Sequence, residues 1–241
     1  MSAISEWARG IDLARIQEWI CFALAAMIAI SVHESSHGLA AYWLGDDTAK
    51  RMGRISMNPM RHFDLTGFIL MVVVHFGWAK PVPVNPYRMN KIKSPKLGMA
   101  LTALAGPLSN VLLALLFCLG FYLCLYSGGD SLWEMFVNNR NPSGWLYFLT
   151  LLFWSGFVLN TGLAVFNLIP VSPLDGSKIL AIILPEQAYG WLMRYERYGF
   201  LVLAVLLFTD VLDGPLETLQ RGLIDGIKAV VVPLAELIVG A

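Results

Sequence analysis

The apolar positions of this chain fall in long unbroken runs, without the strict alternation of half-buried strands or the narrow one-sided stripe of a soluble helix. The first run, Ile16 to Val32, flows into a polar stretch without a break. Together they predict one helix over residues 14–44, amphipathic at its start and membrane-embedded further on. Gly45, after Tyr42, Trp43 and Leu44, supplies a stop with aromatic residues at the interface. The run lacks the small-residue cleavage site of a signal peptide. A second long apolar helix is expected from Lys96 to Tyr126, a third from Trp145 to Phe166, and a shorter outward crossing from Tyr198 to Leu212. Leu65 to Val74 is too short to cross, since a span takes about 20 residues. It is expected to dip in and return beside the first helix, where protein can shield its backbone. Ser127 to Ser143 reads as a polar external turn. The tail from Gly214 scatters Glu217, Arg221, Asp225, Lys228 and Glu236 among apolar residues, as an interfacial amphipathic helix does.

Two proline-rich stretches interrupt this pattern. In Gly77 to Pro86, Pro81, Pro83 and Pro86 exclude helix by removing donors and forcing extended backbone. Pro81 and Pro83 share one lateral edge, which leaves Val82 and Val84 to bond on the other, so the segment is either an edge strand or a rigid loop. In Asn167 to Gly176, Pro170 and Pro173 stop the third helix, and Asp175 can begin a new short one. N-capping is a common task for Asp, yet broken helices inside a membrane generally line sites. These elements predict an all-α polytopic membrane protein of about four to six transmembrane helices, with a re-entrant segment and a small membrane-associated β element. We expect one domain over 1–241, with a catalytic core at about 14–185 and C-terminal helices over 186–241.

Composition agrees. The 241 residues are 57% hydrophobic and only 14% charged, with a mean hydropathy of +0.62, outside the range of soluble domains. The 17 basic and 17 acidic residues balance, which leaves no basic field for nucleic acid. Nine of the 17 basic residues lie in two stretches, Asp46 to His62 and Lys80 to Lys96, which the positive-inside rule assigns to the cytoplasm. Cys21, Cys118 and Cys124 all sit in apolar runs and read as small core residues.

Chemistry enters at His33-Glu34-Ser35-Ser36-His37. Residues at i and i+4 share a helix face, so the two imidazoles can hold one metal ion. Glu34, about 100° around the helix, is placed to take a proton from water without being a ligand, the arrangement of a zinc hydrolase. A plainer role at a cytoplasmic interface is the alternative for the motif alone. Asn110, in Ala105-Gly106-Pro107-Leu108-Ser109-Asn110, and Asn160 set amides at membrane depth. Either they bond between helices or they hold a substrate carbonyl or developing oxyanion.

With HExxH at 33–37, AGPxxN at 105–110 and NxxPxxxLDG at 167–176 in this order, the chain resembles the site-2 protease family of intramembrane zinc metalloproteases, M50-like peptidases, over roughly residues 25–185. The run Gly77 to Pro86 looks like that of its short bacterial members, which lack a PDZ or CBS domain. The resemblance implies Zn2+ held by His33, His37 and Asp175, with Glu34 as general base. It implies hydrolysis of a peptide bond within or near a transmembrane segment of another protein. An exposed Val82 and Val84 edge would hold the unwound substrate by strand addition. The expected setting is a bacterial inner membrane with the site toward the cytoplasm, the partners being a transmembrane protein and the bilayer. Self-association stays open.

Three other functions fit the pattern less well. A metal-ion transporter would use the same His, Asp and Asn, but needs no Glu34 and normally shows an internal repeat. A haem protein needs axial ligands from opposite faces, whereas His33 and His37 share one and leave only His62 and His75. A non-catalytic protein that binds membrane helices has no use for an intact set of ligands and base.

Overall fold

The computed structural model describes residues 13–67, 78–138 and 144–240, and every regular element among them is helical. The major helices are α1 (Leu13–Trp43), α2 (Thr48–Arg51), α3 (Pro95–Asn138), α4 (Trp145–Asn167), α5 (Asp175–Leu180), α6 (Glu186–Phe208) and α7 (Asp213–Val239). Short 3-10 turns lie at Pro59–Arg61 and Pro86–Arg88.

Three stretches are long and apolar enough to cross a bilayer: Arg15–Trp43, Pro95–Asp130 and Trp145–Asn167. A fourth is added if Tyr198–Phe208 and Asp213–Val239, bent by 87°, form one broken span. The crossing expected over 198–212 does not stand by itself: its helix runs over Glu186–Phe208 with Arg194, Glu196 and Arg197 in its middle, and the apolar part after them, Tyr198–Phe208, is too short to span alone. The expected re-entrant stretch lies mostly outside the described residues, as does His75.

Helices α1, α3 and α4 form the bundle. On α1 the buried positions Cys21, Ala25 and Ala29 recur every four residues, so small side chains form one stripe and let the neighbouring backbones approach. Trp19, Met27 and Ile28 point outward, as lipid-facing residues do. Where α3 meets α4, Gly156 lies against the Phe117 ring and Gly120 against Phe153. A Cβ at Gly156 would come within 2.3 Å of Phe117.

Two features correct the expected layout. Instead of ending near Tyr126, the α3 helix resumes after a break at Gly129 (φ 61°, ψ −160°), so 127–138 is not an open polar turn. The apolar residues of that turn decide this: Leu132 is buried with Phe121, Leu125 and Tyr147, and Met135 and Phe136 pack beside them. The tail is also not a separate surface helix. Ile227 and Val231 of α7 pack into the cluster of Ala114, Phe117, Cys118 and Phe157. Gln220 donates to Val158 O at 3.1 Å and to Thr161 Oγ1 at 3.2 Å, while Tyr126 of α3 donates to Glu236 at 3.2 Å. Helix α7 therefore lies lengthwise along the bundle.

No strand forms among the described residues. Residues 80–85 are extended but pair with no neighbouring strand: their prolines lack donors, and the Lys80, Val82 and Asn85 N–H groups bond to loops and side chains.

Overpacking a buried contact of this kind costs about 1–3 kcal/mol. Gly156→Val should therefore lower the thermal unfolding midpoint measured in detergent. Gly222→Ala, on α7 with nothing within 4 Å of its added Cβ, should leave that midpoint unchanged or raise it slightly.

Candidate metal centre

His33 and His37 lie one turn apart on α1, with ring centroids 4.6 Å apart and planes nearly perpendicular. They face a recess in α3 made by a residue without a side chain. A Cβ on Gly106 would sit 2.4 Å from His37 Cε1 and 2.6 Å from His33 Cε1. The glycine of the AGPxxN pattern is thus the floor on which both imidazoles rest.

Asp175 arrives from the other side, as the first residue of α5. The break between α4 and α5 folds back so tightly that a Cβ on Gly176 would meet Leu168 O at 2.2 Å and Ile169 O at 2.4 Å. On the far side Gly199 of α6 backs onto Ser172. This fold-back sets Asp175 Oδ2 at 3.3 Å from His33 Nε2 and 3.2 Å from His37 Nε2, with the two nitrogens 3.1 Å apart. All three residues are largely buried, and Lys178 Nζ stands 3.9 Å from the other Asp175 oxygen.

The hydrogen bonds behind the rings decide where the imidazole protons sit. His37 Nδ1 lies 2.7 Å from Thr102 O, a carbonyl that can only accept, so Nδ1 carries the proton. Behind His33 runs a chain that begins at another carbonyl. Asn160 Nδ2 donates to Gly156 O at 2.7 Å, which leaves Asn160 Oδ1 to accept from Asn110 Nδ2 at 2.7 Å. Asn110 then presents its oxygen to His33 Nδ1 at 2.5 Å. Both Nε2 atoms of the neutral rings are therefore bare lone pairs. They converge with Asp175 Oδ2, itself buried without a hydrogen-bond donor.

With the rings neutral, three electron-rich atoms meet around one point and could hold a cation there. Two imidazoles and a carboxylate suit zinc, and a tetrahedron with ligand bonds of about 2.0–2.1 Å has edges of about 3.3 Å, close to the three separations found here. Among the described residues this is the one cluster of His, Cys, Asp or Glu that could hold a metal. His62 stays outside it, buried in the 54–62 loop with Nε2 on Ser56 O at 2.8 Å.

Glu34 stands beside the trio and is not part of it. Its Oε2 accepts the Val82 N–H at 2.9 Å. Other expected site residues lie where local pattern could not put them. Asn110 and Asn160, expected either to bond between helices or to meet a substrate carbonyl, are fully buried behind His33 and bonded to each other across α3 and α4. The Val82 N–H, expected to be open to a partner, is held by Glu34, whereas the Val84 N–H makes no hydrogen bond among the described residues. Sequence reasoning missed Thr102, whose contribution is a backbone carbonyl with no residue signature. It also missed Gly106 as a contact, although the motif already contained that glycine.

The model of Peptidase family M50 matches residues 21–209, which include the whole trio and Glu34. Among named proteins, "Putative zinc metalloprotease YwhC" of Bacillus subtilis (strain 168) is 36% identical over 191 residues, 78% of this chain and 80% of that protein. "Putative zinc metalloprotease Rip2" of Mycolicibacterium smegmatis is 24% identical over 197 residues, 78% of this chain and 66% of that protein. A third, "Putative zinc metalloprotease MJ0611" of Methanocaldococcus jannaschii, is 34% identical over 116 residues, about half of each chain. No solved structure matches. With a family match over most of its length, and a converging His33, His37 and Asp175 trio that could hold a metal inside that match, the chain belongs to Peptidase family M50.

Proposed function

We propose that this chain is an intramembrane zinc metalloprotease of the site-2 type, one domain that hydrolyses a peptide bond within or near a transmembrane segment of another protein. The observation that carries the reading is the trio of His33 Nε2, His37 Nε2 and Asp175 Oδ2 beside the unligated carboxylate of Glu34, on a helix long and apolar enough to cross a bilayer.

His33, His37 and Asp175 would hold the metal. Bound there, zinc would supply Lewis acidity and lower the pKa of a water into the neutral range. Glu34 takes a proton from the attacking water and returns it to the leaving amine. Asn110 and Asn160 keep His33 in the tautomer that offers Nε2, as hydrogen bonds behind metal ligands commonly do. The scissile bond is protected while helical, so the substrate segment unwinds before it reacts. The Val84 N–H and the neighbouring carbonyls of 82–84 then receive it as an added strand, so the β element forms only with its partner. The basic stretches 50–61 and 80–96 border this site, which supports a cytoplasmic-facing centre in a bacterial inner membrane.

Glu34→Gln should abolish cleavage of a membrane-spanning peptide in detergent, with a loss of at least about a hundredfold, while metal analysis still finds one zinc per chain. Asp175→Ala should lose the zinc; full occupancy in that variant removes Asp175 from the ligand set.

Asn110→Ala leaves the His33 Nδ1–H without its acceptor. Zinc affinity, measured by competition with a chromophoric chelator, should fall about 10–100-fold, and unchanged affinity would return Asn110 to a substrate role.

Val84→Pro deletes the open donor of the extended segment without touching the metal ligands. Cleavage should fall with zinc content unchanged, and fall less for a peptide already unwound by central helix breakers. Equal rates for all substrates would move substrate binding elsewhere.

A further inference from the structure

The extended segment that borders Glu34 is pinned at both ends. Lys80 N–H donates to His62 O at 2.8 Å, and Asn85 N–H donates to the buried Asp46 carboxylate at 2.6 Å. Between these anchors Arg54 Nη2 donates to Lys80 O at 2.7 Å and to Pro81 O at 3.3 Å, and Val82 N–H donates to Glu34 Oε2 at 2.9 Å.

Pro81 O and Val82 N–H are the two ends of one peptide group. Among the described residues only Ser172-Pro173 is cis, so this peptide is trans and its C=O and N–H point in opposite directions. Arg54 and Glu34 therefore grip opposite ends of a single dipole, the cation at its oxygen and the carboxylate at its hydrogen. A hydrogen bond at one end of a peptide polarises the group and strengthens the bond at the other.

Arg54 is an expensive residue for this task if packing were its only role. It is 7% exposed, and it makes no ion pair with a carboxylate among the described residues. Burying a guanidinium on carbonyl acceptors alone is costly, and the hydrogen bonds it makes go to the two carbonyls that precede Val82. Its loop is also fastened to the helix that carries the base. Ser35, next to Glu34, donates to Ser56 O at 2.8 Å and accepts Ser56 N–H at 3.1 Å. The path from Glu34 through Val82, Pro81, Arg54, Ser56 and Ser35 returns to Glu34, a closed ring around the carboxylate.

We propose that Arg54 is a positioning residue for Glu34, acting through the Pro81–Val82 peptide group. The proposal rests on the reading of Glu34 as general base. With Oε2 occupied by the Val82 N–H, the carboxylate is fixed in rotation and Oε1, unbonded among the described residues, is the oxygen left to face water.

Two changes loosen this tether by different routes. Arg54→Lys keeps the charge and replaces the flat fork with a point donor. Replacing Val82 by its α-hydroxy acid turns the N–H into an ester oxygen, weakens the Pro81 carbonyl as an acceptor and leaves every side chain in place. The first readout needs no substrate. Infrared difference spectra of the zinc-loaded protein against its Glu34→Gln counterpart isolate the Glu34 carboxylate bands. Both changes should shift those bands in the same direction, and the two combined should shift them no further than the ester alone. The second readout is cleavage of a quenched fluorescent peptide of about 20 apolar residues with a central Asn-Gly pair. Here kcat should fall about tenfold in each protein with KM changed less than about twofold, and the losses should not multiply, because both act on one donor. Glu34 bands unmoved by the ester overturn the proposal. An Arg54→Lys protein that fails to fold, or whose bands match the wild type, makes Arg54 structural and also overturns it. Wild-type cleavage by Glu34→Gln itself would instead defeat the reading of Glu34 as base, whatever the bands do.

Discussion

The convergence of three lone pairs on one point is the constraint around which the molecule is arranged. His33 Nε2, His37 Nε2 and Asp175 Oδ2 lie within 3.3 Å of one another, all three lone pairs when the rings are neutral. In an apolar bundle such a cluster is unfavourable until a cation joins it. Both imidazoles are held in this state from behind, His37 by the Thr102 carbonyl and His33 by the Asn110–Asn160 pair that ends on Gly156 O. Either ring turned over would put an N–H into the centre and exclude the metal.

Keeping that geometry asks the bundle for close approach, and the glycines provide it. Gly106 lets both rings lie against α3, while Gly176 and Gly199 let the break before α5 fold tightly enough to deliver Asp175. Gly156 serves twice, admitting the Phe117 ring beside it and supplying the carbonyl that starts the chain to His33. Packing and ligand orientation are thus set by the same backbone contacts.

The segment at 80–85 runs beside this centre and meets it at Glu34. Its prolines keep it from helix and its ends are tied to His62 and Asp46, so it is a fixed ledge along α1. The Val82 amide is committed to Glu34, and the Val84 amide, two residues on, makes no hydrogen bond among the described residues.

Local chemistry made a good part of this legible from the residues alone. The four-residue spacing of His33 and His37 dictates a shared helix face, and Pro170 and Pro173 dictate a break before Asp175, because both follow from backbone geometry within a few residues. The three long apolar runs likewise predict the bundle helices, since about 20 apolar residues must be buried or meet lipid. The continuation of α3 past Gly129 was not legible, because Leu132 is core only when Phe121 and Tyr147 stand beside it. The docking of α7 was hidden for the same reason: charges spread along a helix do not reveal that Ile227 and Val231 face Phe157. Nor did any short window show that Asn110 serves His33, 77 positions away, or that Arg54 and Glu34 share one peptide group. Residue spacing determined which groups could act. Which group bonds which was decided only by the registry of helices and loops to within an ångström, the scale on which hydrogen bonds form or fail.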